Sequence, residues 1–481
     1  MHKPAPHHSQ AFALSHPASK FSVNDHENTP LTPTPCTPTM SPPPPPPPPS
    51  PLTITIIGAG IAGLTLALTL RRLSPQHHIH LLEKQPQLQE TGNALLISPN
   101  ASRILLRLGW DPSTARANDC NGMVAMNATG EVVLDKDMRI VAEKYGSPWL
   151  LAHRRDLHDE LRRLVLEPEA KGKGRPGVLE LGVRVREIDV ESGRVVLEDG
   201  RVLQGDVVVG ADGNRSFCRR YVEPEAKLYG FGKDCYRWLV DRDVLAKDPG
   251  LKDLEVLKRE GYFAEIGGER ERIVMYPCRG NTTYNMAVFV PTAEDEAERG
   301  DSHTHWDQEG SKKQMEQALA GFSPTARRLV ASAGDDLKVW PLLDMNHLKR
   351  WTEGRLALIG DAAHPFLPFL GQGAAQAIED AASLGLLLAD ALAAEDVPGT
   401  LRMLDEIRRE RIDWIREQGR INGADAAERP PREFMIRVMD ACFSYNVWSD
   451  TEKKLEASRG VSTTALNTEN NLMGHRVSTT V

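Results

Sequence analysis

The chain has 481 residues, of which 40% are hydrophobic and 26% charged, the balance of a soluble globular protein long enough for two domains. A net charge of -8 without long basic runs excludes a general nucleic-acid binder. No stretch reaches the roughly 18–20 apolar residues of a membrane span, and residues 1–50 lack the apolar core of a secretory signal, so the expected location is cytoplasmic.

Residues 1–51 are expected to be a disordered, Pro-rich segment. Within it, Ser41–Ser50, "SPPPPPPPPS", is confined to polyproline II because proline fixes its own backbone angle and lacks a donor. It reads as a stiff spacer, with a docking site for a proline-recognising module as the alternative. Next comes "ITIIGAGIAGLTLAL", Ile54–Leu68, an apolar strand running into glycines and then a helix over 63–73. With a second strand at His78–Lys84 this makes a βαβ unit.

Gly58, Gly60 and Gly63 fit G-x-G-x-x-G, in which the glycines serve the tight turn, the approach of a pyrophosphate and close helix packing. Three such glycines are weak evidence alone, but Glu83 stands at the end of the second strand, where an acid hydrogen-bonds an adenosine ribose and disfavours a 2′-phosphate. The first site is therefore expected to take FAD or NAD rather than NADP.

Gly177–Gly213 alternates apolar and polar residues and predicts a β-meander ending in the core strand Asp206–Val209. Residues 226–335 carry short strands and acidic loops and predict a second domain. Residues 336–425 return to a strand–turn–helix pattern and a charged amphipathic helix over Thr400–Gly423. Residues 426–455 read as a helical segment and 456–481 as a polar, disordered tail. The six cysteines (Cys36, Cys120, Cys218, Cys235, Cys278 and Cys442) form no C-x-x-C pair, and the histidines do not pair with Cys or Asp at ligand spacing. Reduced thiols and no metal site are expected.

Three further stretches occur in order after the glycines: "HRRDL" (His153–Leu157), "GADGNRSFCR" (Gly210–Arg219) and "ALIGDAAHPFLPFLGQGAAQAIEDA" (Ala357–Ala381). Each alone has a bland reading as a surface Arg, a β-turn and a Gly-rich loop. Together they resemble the single-component flavoprotein monooxygenases, the group that includes salicylate hydroxylase and para-hydroxybenzoate hydroxylase, from about Thr53 to Gly423. "TGNALLISPNASRILLRLGW" (Thr91–Trp110) resembles the family as well, although Gly92-Asn93-Ala94 stands where the family usually has Gly-Ala-Gly.

The resemblance implies an α/β fold: a Rossmann-like FAD-binding domain with a parallel sheet, formed by 52–225 and 336–425, a mixed-β substrate domain at 226–335, and C-terminal helices. It implies that Glu83 holds the adenosine ribose, that Arg154 and Ala94 contact FAD, and that Asp212 lies near the flavin chain and the pyridine nucleotide. Asp361 would bind the ribityl or ribose oxygens, and Gly371, Gly373 and the backbone of Ala374 would contact FAD. The chemistry of "GQGAA" agrees, because a helix opening there presents free N–H groups and a positive dipole end.

The implied reaction is reduction of FAD by NADH or NADPH, capture of O2, and oxygen transfer from a flavin C4a-hydroperoxide to a phenol or aryl acid, with or without loss of a carboxylate. Such a pocket should be apolar with a few orienting polar groups. "DCYRWLV" (Asp234–Val240) offers Arg237 and Tyr236 as candidates to contact the substrate, against the plain reading of a strand with alternating side chains. "MYPCRGNTTYNM" (Met275–Met286) adds Tyr276. His364 reads either as a structural hydrogen-bonding residue beside Pro365 or as a proton-transfer group. Epoxidation or Baeyer–Villiger oxidation is the alternative chemistry, and an interaction protein recruited through the Pro-rich segment is the alternative outside catalysis. A disulfide reductase is disfavoured, because neither a redox cysteine pair nor a second glycine motif is present.

Overall fold

The computed structural model describes residues 50–88, 93–168, 175–292, 308–309, 311–334, 337–390, 393 and 396–459. The polyproline run up to Pro49 and the tail beyond Arg459 lie outside these. Thr53–Ile57 forms the predicted first strand and Ile61–Leu73 the helix that follows it. The strand pairs in parallel with His78–Glu83 on one side and Val207–Gly210 on the other. Val178–Leu181 and Leu356–Leu358 extend the sheet in parallel, and Thr352–Glu353 closes one edge antiparallel, giving six strands. Ile54, Ile56, Leu81, Val207 and Val209 are fully buried, as expected of parallel strands covered on both faces. Helix Ile61–Leu73 packs against Arg154–Leu166 and Gly373–Ala389.

The stretch 177–213 is not a single meander. Val185–Asp189, Arg194–Leu197 and Val202–Gln204 form a three-stranded antiparallel unit, whereas Val178–Leu181 and Val207–Gly210 join the parallel sheet. Alternation marks a strand but not its partner, and the continuous apolar run of 207–210 is the mark of a central parallel strand.

A second sheet has eight strands in the order 308–309, 338–345, 228–241, 283–291, 272–278, 262–267, 122–127 and 132–137. It thus draws strands from before and after residues 226–335. Pairing is antiparallel except between Gly122–Asn127 and Tyr262–Gly267. One face buries Tyr236, Trp238, Met275, Met286 and Val288 with residues of helices Lys312–Ala318 and Pro324–Ala331. The other face carries Cys235, Arg237, Val274, Tyr276, Ala287 and Phe289 into a large cavity.

Helix Val397–Gly423 begins three residues earlier than its charge pattern suggests, because Asp396 caps it through the N–H of Gly399 at 2.8 Å. Arg432–Ser444 forms a shorter helix, and a last one covers 447–459. The polar stretch expected from Glu456 onward is therefore still helical as far as Arg459, one turn beyond the buried Leu455. No helix among the described residues is long and apolar enough to cross a membrane.

Candidate active site

The glycine corner is closed by contacts that only glycine permits. Gly58 has φ +106°, and a Cβ there would stand 2.4 Å from the carbonyl oxygen of Ala211. On Gly63 it would stand 2.1 Å from the oxygen of Gly58. Gly60 differs: it lines the cavity, and a Cβ there would meet nothing within 4 Å. The helix behind it has no side-chain cap, so its first N–H groups remain open to a ligand. Glu83 supports the corner, accepting from Ala59 N at 3.0 Å and from Gln85 N at 2.9 Å. His158, which the motifs did not single out, contacts Ala59 O at 2.7 Å through Nε2.

Beside this corner lies a cavity of about 1010 Å3. Its lining includes Ala94, Arg154, Asp212, Asp361, Gly371, Gly373 and Ala374, so seven residues named from the sequence meet at one place along with Gly60. Gly58, Gly63 and Glu83 shape the wall from behind. Gly92 lies outside the described residues, while Asn93 O accepts from Arg154 N at 3.1 Å.

Asp212 is largely engaged by its own loop. Its carboxylate accepts from Ser216 Oγ at 2.6 Å, Phe217 N at 2.7 Å and Cys218 N at 3.1 Å. The turn bearing Asp361 is gripped by Arg219, whose guanidinium donates to Asp361 O at 2.7 Å and Ala362 O at 2.8 Å. Asp361 is exposed to the cavity, and the protein walls enclosing that cavity raise its carboxyl pKa above the ordinary Asp value, a rise that Arg154, His364 and Arg219 reduce. Helix Gly373–Ala389 opens on the same cavity without a side-chain cap.

The opposite end of the cavity is built from the eight-stranded sheet and helix Arg432–Ser444. Arg237 is one of the cations on this lining, with Arg272, Arg429 and Arg432. Its Nε lies 3.2 Å from Cys235 Sγ and its guanidinium 5.7 Å from the Trp340 ring centroid, and no carboxylate pairs with it among the described residues. Tyr276 also lines this end, stacked on Phe263 with ring centroids 5.9 Å apart, and burial pushes its phenol pKa up. Met435, Met439 and Phe443 close the far wall.

Tyr236 does not join them. Strand side chains alternate, so the residue next to Arg237 faces the apolar core behind the sheet, and Tyr236 is no candidate for substrate contact. His364 also stays off the cavity. It is buried, with Nε2 2.6 Å from Asp380 Oδ2 and its ring between Trp351 and Phe366, which is the structural role.

Two uncapped helix ends, a carboxylate at the end of the second strand and another on the Gly-Asp turn suit a ligand with a pyrophosphate and a polyhydroxyl chain. The comparisons agree. Residues 52–417 match a family described as "FAD binding domain". Hispidin-3-hydroxylase of Neonothopanus nambi is 32% identical over 415 residues, 83% of this chain and 95% of that protein. The FAD-dependent monooxygenase cfoG of Aspergillus candidus is 33% identical over 374 residues, 75% of this chain and 82% of that one. A salicylate hydroxylase substrate complex shares the fold at a TM-score of 0.69 and 23% identity, covering 84% of this chain and 98% of that chain. With the glycine corner and the Gly-Asp turn on one cavity, and matches of this length, the chain belongs to the FAD binding domain family and is an FAD-dependent monooxygenase.

Proposed function

We propose that the enzyme uses NAD(P)H and O2 to hydroxylate an acidic aromatic substrate, a phenol or aryl acid bound as its anion. Arg237 carries this reading, a cation without a carboxylate partner among the described residues, set in an aromatic wall at the end of the cavity away from the glycine corner. The adenosine ribose of FAD would rest on Glu83, its pyrophosphate before Gly60, its ribityl chain near Asp361, and its ring before the helix opened by Gly373. Bound there, FAD supplies a ring that NAD(P)H reduces and that activates O2.

The protein's part is to orient and to shield. The N-terminus of helix Gly373–Ala389 favours negative charge on the flavin's facing edge. Arg237 fixes the anionic group of the substrate, the Tyr276 hydroxyl offers a second hydrogen bond, and Phe263 and Phe289 exclude water. The similarity to hispidin-3-hydroxylase supports hydroxylation over epoxidation or ketone insertion.

The test is turnover with a panel of phenols and aryl acids, scoring product and peroxide, in the wild type and in Arg237→Met. Losing a charge-assisted hydrogen bond costs about 1.5–3 kcal/mol, so KM should rise roughly 10- to 100-fold while FAD content stays constant. An unchanged KM in Arg237→Met, or no aromatic that stimulates NAD(P)H oxidation, overturns the proposal.

A further inference from the structure

Glu379 and Asp380 are adjacent on helix Gly373–Ala389 and fully buried, so each needs charged partners. Arg408, on helix Val397–Gly423, supplies one set: it donates to Glu379 Oε2 at 2.6 Å, Asp380 Oδ1 at 2.9 Å and Gln376 Oε1 at 2.6 Å. Asp380 Oδ2 in turn accepts from Gly360 N at 2.9 Å, which ties the Gly-Asp turn to the helix. Asn100 Nδ2 donates to Glu379 Oε1 at 2.5 Å and reaches Gln372 Oε1 at 3.2 Å. The Gly-Asp turn and helix Pro99–Arg107 are thereby tied to helix Gly373–Ala389.

Arg411 carries the connection further. It donates to Glu379 from Nε at 2.9 Å and from Nη2 at 3.0 Å, a bidentate pair. The same guanidinium reaches the end of helix Arg432–Ser444, donating to Cys442 O at 3.2 Å and Ala441 O at 3.4 Å. Those carbonyls belong to the last turn, where a helix has run out of its own donors. The guanidinium also lies 3.8 Å from the Tyr445 ring centroid. Helix Arg432–Ser444 is the one that sends Met435, Met439 and Phe443 into the substrate end of the cavity, while neither Glu379 nor Arg411 lines it.

We propose that Arg411 is a positioning residue that couples the cofactor-side helix Gly373–Ala389 to the substrate-side helix Arg432–Ser444, fixing the distance between flavin and substrate walls. The inference rests on the assignment of the two ends of the cavity made above. Arg411 alone among the described residues bonds both helices: Arg408 holds Glu379 and Asp380 without reaching the second helix through any described hydrogen bond, and Arg103 donates to Tyr445 O at 2.7 Å and Phe443 O at 3.5 Å without bonding Glu379.

The test is hydrogen exchange by mass spectrometry on the full-length, FAD-loaded protein, comparing wild type, Arg411→Met and Arg411→Lys. In Arg411→Met, amides of 432–444 should exchange about tenfold faster, since local opening follows local contacts, whereas those of 373–389 stay protected by Arg408. FAD affinity and the visible spectrum should change less than twofold, while KM for the aromatic substrate and peroxide formed per NAD(P)H rise several-fold. Arg411→Lys keeps the charge beside Glu379 but lacks the planar fork, and should fall between the two. Unchanged exchange in 432–444 overturns the proposal, as does equal loosening of 373–389 with loss of FAD, which would make Arg411 a support for a buried carboxylate only. Exchange is read without turnover, so a wrong substrate class leaves this readout intact.

Discussion

Gly58 and Gly60 lie two positions apart and answer to different demands. At Gly58 the backbone has φ +106° and the Ala211 carbonyl stands where a side chain would begin. Gly58→Ala should therefore destabilise the fold by about 2–4 kcal/mol, combining backbone strain with a clash against main chain. Gly60 has φ -76° and open space around it, so Gly60→Ala should leave the melting temperature unchanged while weakening FAD binding at least tenfold, because the methyl group would take up room at the pyrophosphate. Thermal melts paired with FAD titration check both, and a Gly60→Ala variant that binds FAD normally would remove the pyrophosphate from that corner. The motif assigns Gly58 to the tight turn and Gly60 to the pyrophosphate, and the crowding at the one and open space at the other fit that division. Positions 236–237 were less legible: alternation places Tyr236 and Arg237 on opposite faces, yet only the packing of helices Lys312–Ala318 and Pro324–Ala331 decides which face is core.

At the scale of elements, helix Gly373–Ala389 is a buried helix with two carboxylates in its middle. Glu379 and Asp380 within "GAAQAIEDAASLGLLLA" were a readable signal, since buried acids are rare unless paired. Their partners were not readable: Arg408 looks like one more charge on an amphipathic helix, and nothing local joins it to 379–380. The pairing predicts a pH dependence. Burial raises the Asp380 pKa, but His364 and Arg408 outweigh it and hold the value at about 2, against an ordinary 3.8. The folded value lies below the unfolded one, so ionised Asp380 contributes stability above about pH 4 that is lost as the pH falls toward 2, some 2 kcal/mol in all. Glu379 shifts the same way, its burial outweighed by Arg411 and Arg408. Denaturant midpoints at pH 5, 4 and 3 should fall steadily. Arg408→Met should cost about 3–5 kcal/mol at pH 7 by leaving two acids with one cation fewer, and should move acid unfolding to higher pH. An acid transition that stays in place would show that the pair makes no such contribution.

For the whole molecule, the order of motifs along the chain was enough to indicate an FAD-binding α/β protein, while the assembly of the second sheet was hidden. Gly122–Asn127 pairs with Tyr262–Gly267, more than a hundred residues away, and no local pattern records such a partner. The cavity wall from Met435, Met439 and Phe443 was hidden for the same reason, because residues 426–455 showed only helical spacing. The near boundary of the fold is better defined. Leu52 is buried, its N–H donates to His77 Nδ1 at 3.1 Å and its carbonyl accepts from His78 N at 2.8 Å, while Thr53 N donates to Asp206 Oδ2 at 2.7 Å. Residues 1–50 should therefore be removable with no change in melting temperature, FAD content or NAD(P)H oxidation. A proline-recognising partner docked on Ser41–Ser50 would be lost in the same variant. Removing residues 1–54 deletes Leu52 and the fully buried Ile54 along with these hydrogen bonds. At roughly 1.5–3 kcal/mol for each buried aliphatic side chain, that cut should lower stability by at least about 3 kcal/mol and reduce FAD retention with it. A 51–481 chain that loses FAD would show that the Pro-rich segment belongs to the folded enzyme, and a 55–481 chain that keeps it would show that the first strand tolerates the loss of its leading residues.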